Sequence, residues 1–121
     1  MNAGPRRVPL LPAGTTADES QSKPIDCSAY RYHTVYFRSA GTTSGGNITI
    51  EEADWDGLGE VPTGAGWSII GTATAASTFT GGATLAVRLP VGAYAWVRVR
   101  VSDAITGGGS MKGGTLSLEV E

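Results

Sequence analysis

Apolar and polar positions alternate through most of this chain, and the period is two. Over residues 34–38, Val35 and Phe37 fall on one side while Tyr36 and Arg38 fall on the other. Residues 47–52 turn Ile48 and Ile50 inward, and residues 84–89 align Leu85, Val87 and Leu89. The clearest run is 94–102, where Val97, Val99 and Val101 alternate with Trp96, Arg98 and Arg100. Residues 67–75 add a further apolar run, and 115–120 set Leu116, Leu118 and Val120 against Ser117 and Glu119. Side chains two apart share a face only in extended backbone, so each run predicts a half-buried strand. No window carries a capped apolar stripe of period 3.6, so no helix is expected.

Glycine supplies the punctuation. Many of the 18 glycines are adjacent, as in Gly45-Gly46, Gly81-Gly82, Gly107-Gly108-Gly109 and Gly113-Gly114, where tight turns are expected. The longest connection covers residues 54–66 and contains Trp55 and Pro62. Together these features predict an all-β domain over residues 25–121. Its expected form is an antiparallel β-sandwich or jelly roll of about six to eight strands, with a small closed barrel as the alternative.

Residues 1–24 follow a different rule. Pro5, Pro9, Pro12 and Pro24 fall here, four of the six prolines in the chain. Proline removes an amide donor and fixes φ, so an extended N-terminal arm is expected, either loose or ordered on a partner. Val8, Leu10 and Leu11 are apolar groups with no home in a solvated tail, which makes them candidate partner contacts.

Composition narrows the classes of function. The chain has 121 residues, 40% of them hydrophobic and 17% charged, which suits one folded domain. A formal net charge of −2 and a pI near 5.3 provide no basic field, and Arg6-Arg7 is too short for a nucleic-acid arm. No run approaches the roughly 18–20 apolar residues of a membrane span. The short, proline-broken stretch from Val8 to Pro12 does not make a signal-peptide core, so cytoplasmic synthesis without export is expected.

Candidate chemistry is sparse. Cys27 is the only cysteine, which excludes an intramolecular disulfide, and His33 is the only histidine. Alternation places His33 on the face of Val35 and Phe37, the position of a structural residue. A Cys27–His33 dyad needs the chain to fold back sharply, because six extended residues separate the two by roughly 20 Å. One residue of each type is too few for a structural zinc site. Asp54 and Asp56, in an acidic run that begins at Glu51-Glu52, are conceivable calcium ligands; their spacing does not fit the twelve-residue calcium loop, and a solvated acidic turn is the simpler reading. The glycine-rich stretches lack the Lys-Ser/Thr ending of a phosphate loop. Asn47-Ile48-Thr49 matches the glycosylation acceptor pattern, which has meaning only in an exported chain. The expectation is a protein without enzymatic activity, cofactor or metal.

One surface does stand out. Tyr94, Trp96, Arg98 and Arg100 share a side, and aromatics with arginine are enriched at protein interfaces. Alternatively, Arg98 and Arg100 pair across strands with Glu51 or Glu119.

These stretches also carry a resemblance. Ser22-Lys23-Pro24-Ile25-Asp26-Cys27-Ser28-Ala29-Tyr30 leads into the strand at 33–38, and Gly46-Asn47-Ile48-Thr49-Ile50-Glu51-Glu52-Ala53 follows. Then come Gly66-Trp67-Ser68-Ile69-Ile70, Tyr94-Ala95-Trp96-Val97-Arg98-Val99-Arg100-Val101 and Gly113-Gly114-Thr115-Leu116-Ser117-Leu118. In this order, over residues 22–121, the chain resembles small all-β virion proteins of tailed bacteriophages, in particular head decoration (cement) proteins. The resemblance implies a structural protein on the capsid exterior that binds where major capsid protein subunits meet. It also implies self-association as a homodimer or homotrimer, and it transfers no active-site residue. The alternative is a tail-associated or carbohydrate- or receptor-binding β-sandwich module, with Trp55 and Trp67 as stacking platforms.

Overall fold

The period-two runs become strands because each has one apolar face to bury, and two such sheets bury their faces against each other. The computed structural model describes residues 6–11, 16–17, 19–27, 30–54, 66–74, 84–92, 94–107 and 110–119. Regular structure among them is all strand: β1 (Arg6–Pro9), β2 (Ile25–Asp26), β3 (Tyr32–Ala40), β4 (Gly45–Ala53), β5 (Ser68–Thr74), β6 (Thr84–Arg88), β7 (Trp96–Thr106) and β8 (Ser110–Glu119). They form two four-stranded antiparallel sheets, ordered β1-β8-β3-β6 and β2-β7-β4-β5.

The expected inward residues form the core. In the second sheet Ile48 lies opposite Val101 and Ile50 opposite Val99, all fully buried. In the first, Val35 and Phe37 are fully buried and lie opposite Val87 and Leu85. Leu116 and Leu118 register with Val35 and His33. Val120 lies outside the described residues. Each fully buried aliphatic or aromatic side chain of this kind contributes roughly 1.5–3 kcal/mol.

Two expectations need correction. Gly45-Gly46 and Gly113-Gly114 are not turns: they lie inside β4 and β8. The register shifts beside them, between Gly45 and Asn47 and between Phe37 and Ser39, the first pairing of β3 beyond Gly114. Glycine absorbs these irregularities because it has no Cβ to obstruct the extra twist of a bulge.

The N-terminal segment is the second correction. It does not stand off as an arm: its described residues cover one edge of both sheets. Arg6 to Pro9 pair with Leu118 to Thr115 as β1. Residues further on run antiparallel along β7: Ile105 N–H donates to the Thr16 carbonyl (2.9 Å), Val101 N–H to that of Ser20 (2.7 Å), and Ser22 N–H to that of Val99 (2.9 Å). Leu11, at 4% exposure, belongs to the core, and Val8 and Leu10 pack half-buried against it. The proline-imposed extended backbone is what an edge strand requires, and proline is tolerated there because its missing donor costs no central ladder bond.

Gly46 shows how tightly this frame is set. Its φ is +110°, and an added Cβ would lie 2.7 Å from the Ala104 carbonyl oxygen and 2.7 Å from Ile105 Cα. Gly46→Ala is therefore expected to lower the urea-measured unfolding free energy by about 1–3 kcal/mol or more. Gly92→Ala, where a Cβ meets nothing within 4 Å, is expected to stay within about 0.5 kcal/mol of the parent.

Candidate functional site

Charged groups converge on the outer face of the β2-β7-β4-β5 sheet. There Thr49, Glu51 and Ala53 of β4 register with Arg100, Arg98 and Trp96 of β7. Glu51 is buried, and its two oxygens are divided between two cations. Arg98 donates to Oε1 through Nε (2.9 Å) and Nη2 (2.8 Å). Arg100 donates to Oε2 through Nε (2.9 Å), and the Thr49 hydroxyl donates to the same oxygen (3.0 Å). The free end of each guanidinium reaches the N-terminal segment: Arg98 Nη1 donates to Gln21 Oε1 (2.7 Å), and Arg100 Nη1 to Glu19 Oε1 (2.8 Å). The Arg98 guanidinium also lies over the Trp67 ring, 4.2 Å from its centre.

Burial works to raise the pKa of Glu51, but the hydrogen bonds from Arg100, Arg98 and Thr49 outweigh it and hold the carboxyl below its ordinary 4.5. Arg100 is correspondingly raised, chiefly by its hydrogen bond to Glu51. Of the two readings of this face, the structure places Arg98 and Arg100 in cross-strand pairing with Glu51. It also takes Tyr94 off that face. β7 begins at Trp96, so the alternation does not extend back to Tyr94. The Tyr94 ring instead meets the inward His33 edge-on at 4.8 Å, and its hydroxyl donates to the Pro90 carbonyl (2.9 Å). Trp96 remains on the outer face, half-buried, in register with Asp26 and Ala53.

His33 lies near the Cys27 backbone, whose carbonyl acts on the imidazole and also accepts from Tyr30 N–H (3.0 Å). Neither is tuned for nucleophilic chemistry. Burial pushes the Cys27 thiol up to about 12, with the Asp26 charge adding to it and Arg6 opposing. Its Sγ donates to the Ile25 carbonyl (3.5 Å). Burial likewise lowers His33 below 6.5; the Cys27 carbonyl acts against this without forming a well-aligned bond, and neither ring nitrogen has a hydrogen-bond partner among the described residues. A thiol held protonated and an imidazole held neutral by burial are the reverse of an activated pair.

Other candidates are placed as follows. Asp54 lines an open groove of about 270 Å³ with Glu52, Ala53, Tyr94 and Ala95. Asp56 and Trp55 lie outside the described residues. No group of three or more metal-ligating side chains occurs among the described residues. The acceptor-pattern Asn47 donates through Nδ2 to Asp103 (2.8 Å), and Thr49 is buried beside Glu51, so both polar groups of that pattern are engaged within the fold. Trp67 presents one ring face to Arg98, which removes that face as a sugar platform. The roles of Glu19 and Gln21 are not among the expectations. They depend on an edge pairing with β7 that no local pattern encodes, although Glu51 opposite Arg98 follows directly once β4 and β7 are set side by side.

Comparison with protein-family models, with curated proteins and with solved structures finds no match to this chain.

Two acid-sensitive groups with separate pH windows follow. Glu51 is depressed in the folded state, so its contribution is present above its unfolded value near 4.5 and is lost as pH falls through the lower folded value. His33 is also depressed, so its contribution is full above 6.5 and declines as acidification protonates the unfolded chain first. In urea titrations across pH, His33→Phe is expected to flatten the decline that begins below 6.5, and Glu51→Gln that below 4.5. Glu51→Gln should also cost about 3–5 kcal/mol near neutrality, because two largely buried guanidinium groups lose their shared anion. A further expectation concerns the thiol: an aromatic disulfide reagent should label Cys27 only after unfolding, and rapid labelling of the native protein would contradict its burial.

Proposed function

We propose that this chain is a structural virion protein of a tailed bacteriophage, a decoration (cement) protein on the capsid exterior. It binds the outer shell at contacts between major capsid protein subunits, associates with itself as a homodimer or homotrimer, and stabilises the shell. The observation that carries the reading is the strand order. β1 pairs with β8, β2 with β7, β3 with β6 and β4 with β5, and these four antiparallel pairs fall into the sheets β1-β8-β3-β6 and β2-β7-β4-β5. That arrangement supports a jelly roll, an architecture that viral capsid and lectin domains use.

Fold-level analogy alone does not assign a role, so the residue chemistry must agree with it. The ionised cluster at Glu51 is satisfied internally, and the Cys27–His33 pair has the polarity of buried structural groups. These favour a protein that acts through its surfaces. With Leu11 in the core and residues 6–9 paired with β8, the described residues of this segment serve as edge cover in this reading, not as an arm across a neighbour.

The test uses shells of the virus that encodes the chain, assembled without it. Saturable binding at a fixed number of copies per shell, tolerant of salt, is expected, together with a higher temperature for release of packaged DNA. Specific binding on a glycan array with no binding to shells would replace this reading with the carbohydrate-binding module.

A further inference from the structure

The two outer faces of the molecule treat their arginines differently. On the β2-β7-β4-β5 sheet Arg98 and Arg100 share Glu51. On the β1-β8-β3-β6 sheet, Arg7, Arg38 and Arg88 are exposed, and none forms an ion pair with a carboxylate among the residues whose side chains are described. Burial alternation along β3 puts His33, Val35 and Phe37 inward, which turns Tyr32, Thr34, Tyr36 and Arg38 outward. Register extends this face across the sheet. Arg7, Ser117, Thr34 and Arg88 form one row; Pro9, Thr115, Tyr36 and Ala86 form the next; Arg38 and Thr84 lie beyond. Strand spacing then sets the three arginine backbones roughly 14–17 Å apart. Glu119 is in register with Tyr32 at the far end of the sheet.

Three cations on one face run against the sign of a chain whose net charge is −2. A guanidinium is weakly hydrated and presents a planar fork that matches a carboxylate, so it is suited to a contact from which water is removed. Tyrosine beside arginine is the composition of interface patches, and Tyr32 is 38% exposed. The same residues fit single-stranded nucleic acid less well. The Arg7 guanidinium lies 5.5 Å from the centre of the Tyr36 ring, so that ring face is already covered and is not open to a base. Three widely spaced arginines also neutralise few phosphates of a densely charged strand.

We propose that the outer face of β1-β8-β3-β6 docks an acidic protein surface, whose carboxylates are taken by Arg7, Arg38 and Arg88 while Tyr32 and Tyr36 supply contact area. The proposal rests on the shell-binding reading for where such a partner is met, but the face is testable separately. The probe is a peptide of alternating Glu and Gly, about ten residues long and able to span the three arginines. NMR titration at low salt is expected to move the resonances of Arg7, Tyr36, Arg38 and Arg88. The double variant Arg38→Ser/Arg88→Ser should bind the peptide about tenfold more weakly, the equivalent of two exposed ion pairs. Lys23→Ser, outside this face, should bind as the parent does, and unchanged melting of the variants excludes loss of fold. Shifts centred elsewhere, equal affinity of the double variant, or displacement of the peptide from this face by a tighter-binding oligothymidylate would overturn the proposal. On shells, binding by the parent that the double variant retains in full overturns the docking face and keeps the shell reading. Peptide binding at this face without shell binding by the parent removes the shell reading and keeps the face.

Discussion

The carboxylate of Glu51 is the point through which four segments of the chain are held in register. It sits on β4, receives Arg98 and Arg100 from β7, and through their free ends reaches Gln21 and Glu19 of the N-terminal segment. Arg98 also covers the Trp67 ring, one residue before β5. A buried ion pair of this kind is not in itself a source of stability, since desolvation offsets much of the attraction. Its effect here is on position. An anion bonded on both oxygens accepts only one arrangement of the strands that carry its donors, and a slip of one residue would leave a charge buried without its counterpart.

Beneath that polar face lies the apolar one that closes the sandwich. Val97, Val99 and Val101 alternate with the arginine-bearing positions on the same strand, and their full burial excludes water from the underside of the ionic cluster. The core and the charge network therefore specify each other. Apolar burial fixes which side of β7 faces out, and the shared carboxylate fixes how far β7 is shifted along β4. The N-terminal segment completes both, with Leu11 entering the core and Glu19 and Gln21 capping the cations.

Period two makes the central strands legible in the amino-acid sequence: the inward sets on β3, β4, β6 and β7 are those that alternation predicts. Pairing of Arg98 or Arg100 with Glu51 is likewise within reach, as one of two readings of that face. What stays illegible is non-local. Proline density in residues 1–24 reports extended backbone equally for a free arm and for an edge strand, and only partners far along the chain decide between them. Paired glycines mark bulges as readily as turns, because both need backbone freedom. Tyr94 is misplaced by alternation because the pattern runs one residue pair past the start of β7. The contrast between the two outer faces is also hidden, since it depends on which arginines find a carboxylate across the sheet.

The pairing of β1 with β8 has a kinetic consequence. Arg6 lies opposite Leu118, so the first strand finds its place only after nearly the whole chain has been gathered. Contacts of such long sequence separation demand loop closure before they return any stabilisation, which makes folding slow relative to domains of this size with local contacts. During synthesis the β4–β5 pair is available early, whereas the β1-β8-β3-β6 sheet has to wait for β8, the last of its strands to be made. Until then β1 and β3 have no strand between them, and the face that carries Arg7, Tyr36, Arg38 and Arg88 does not exist as a surface. The docking face is thus assembled last, which ties its presentation to completion of the fold.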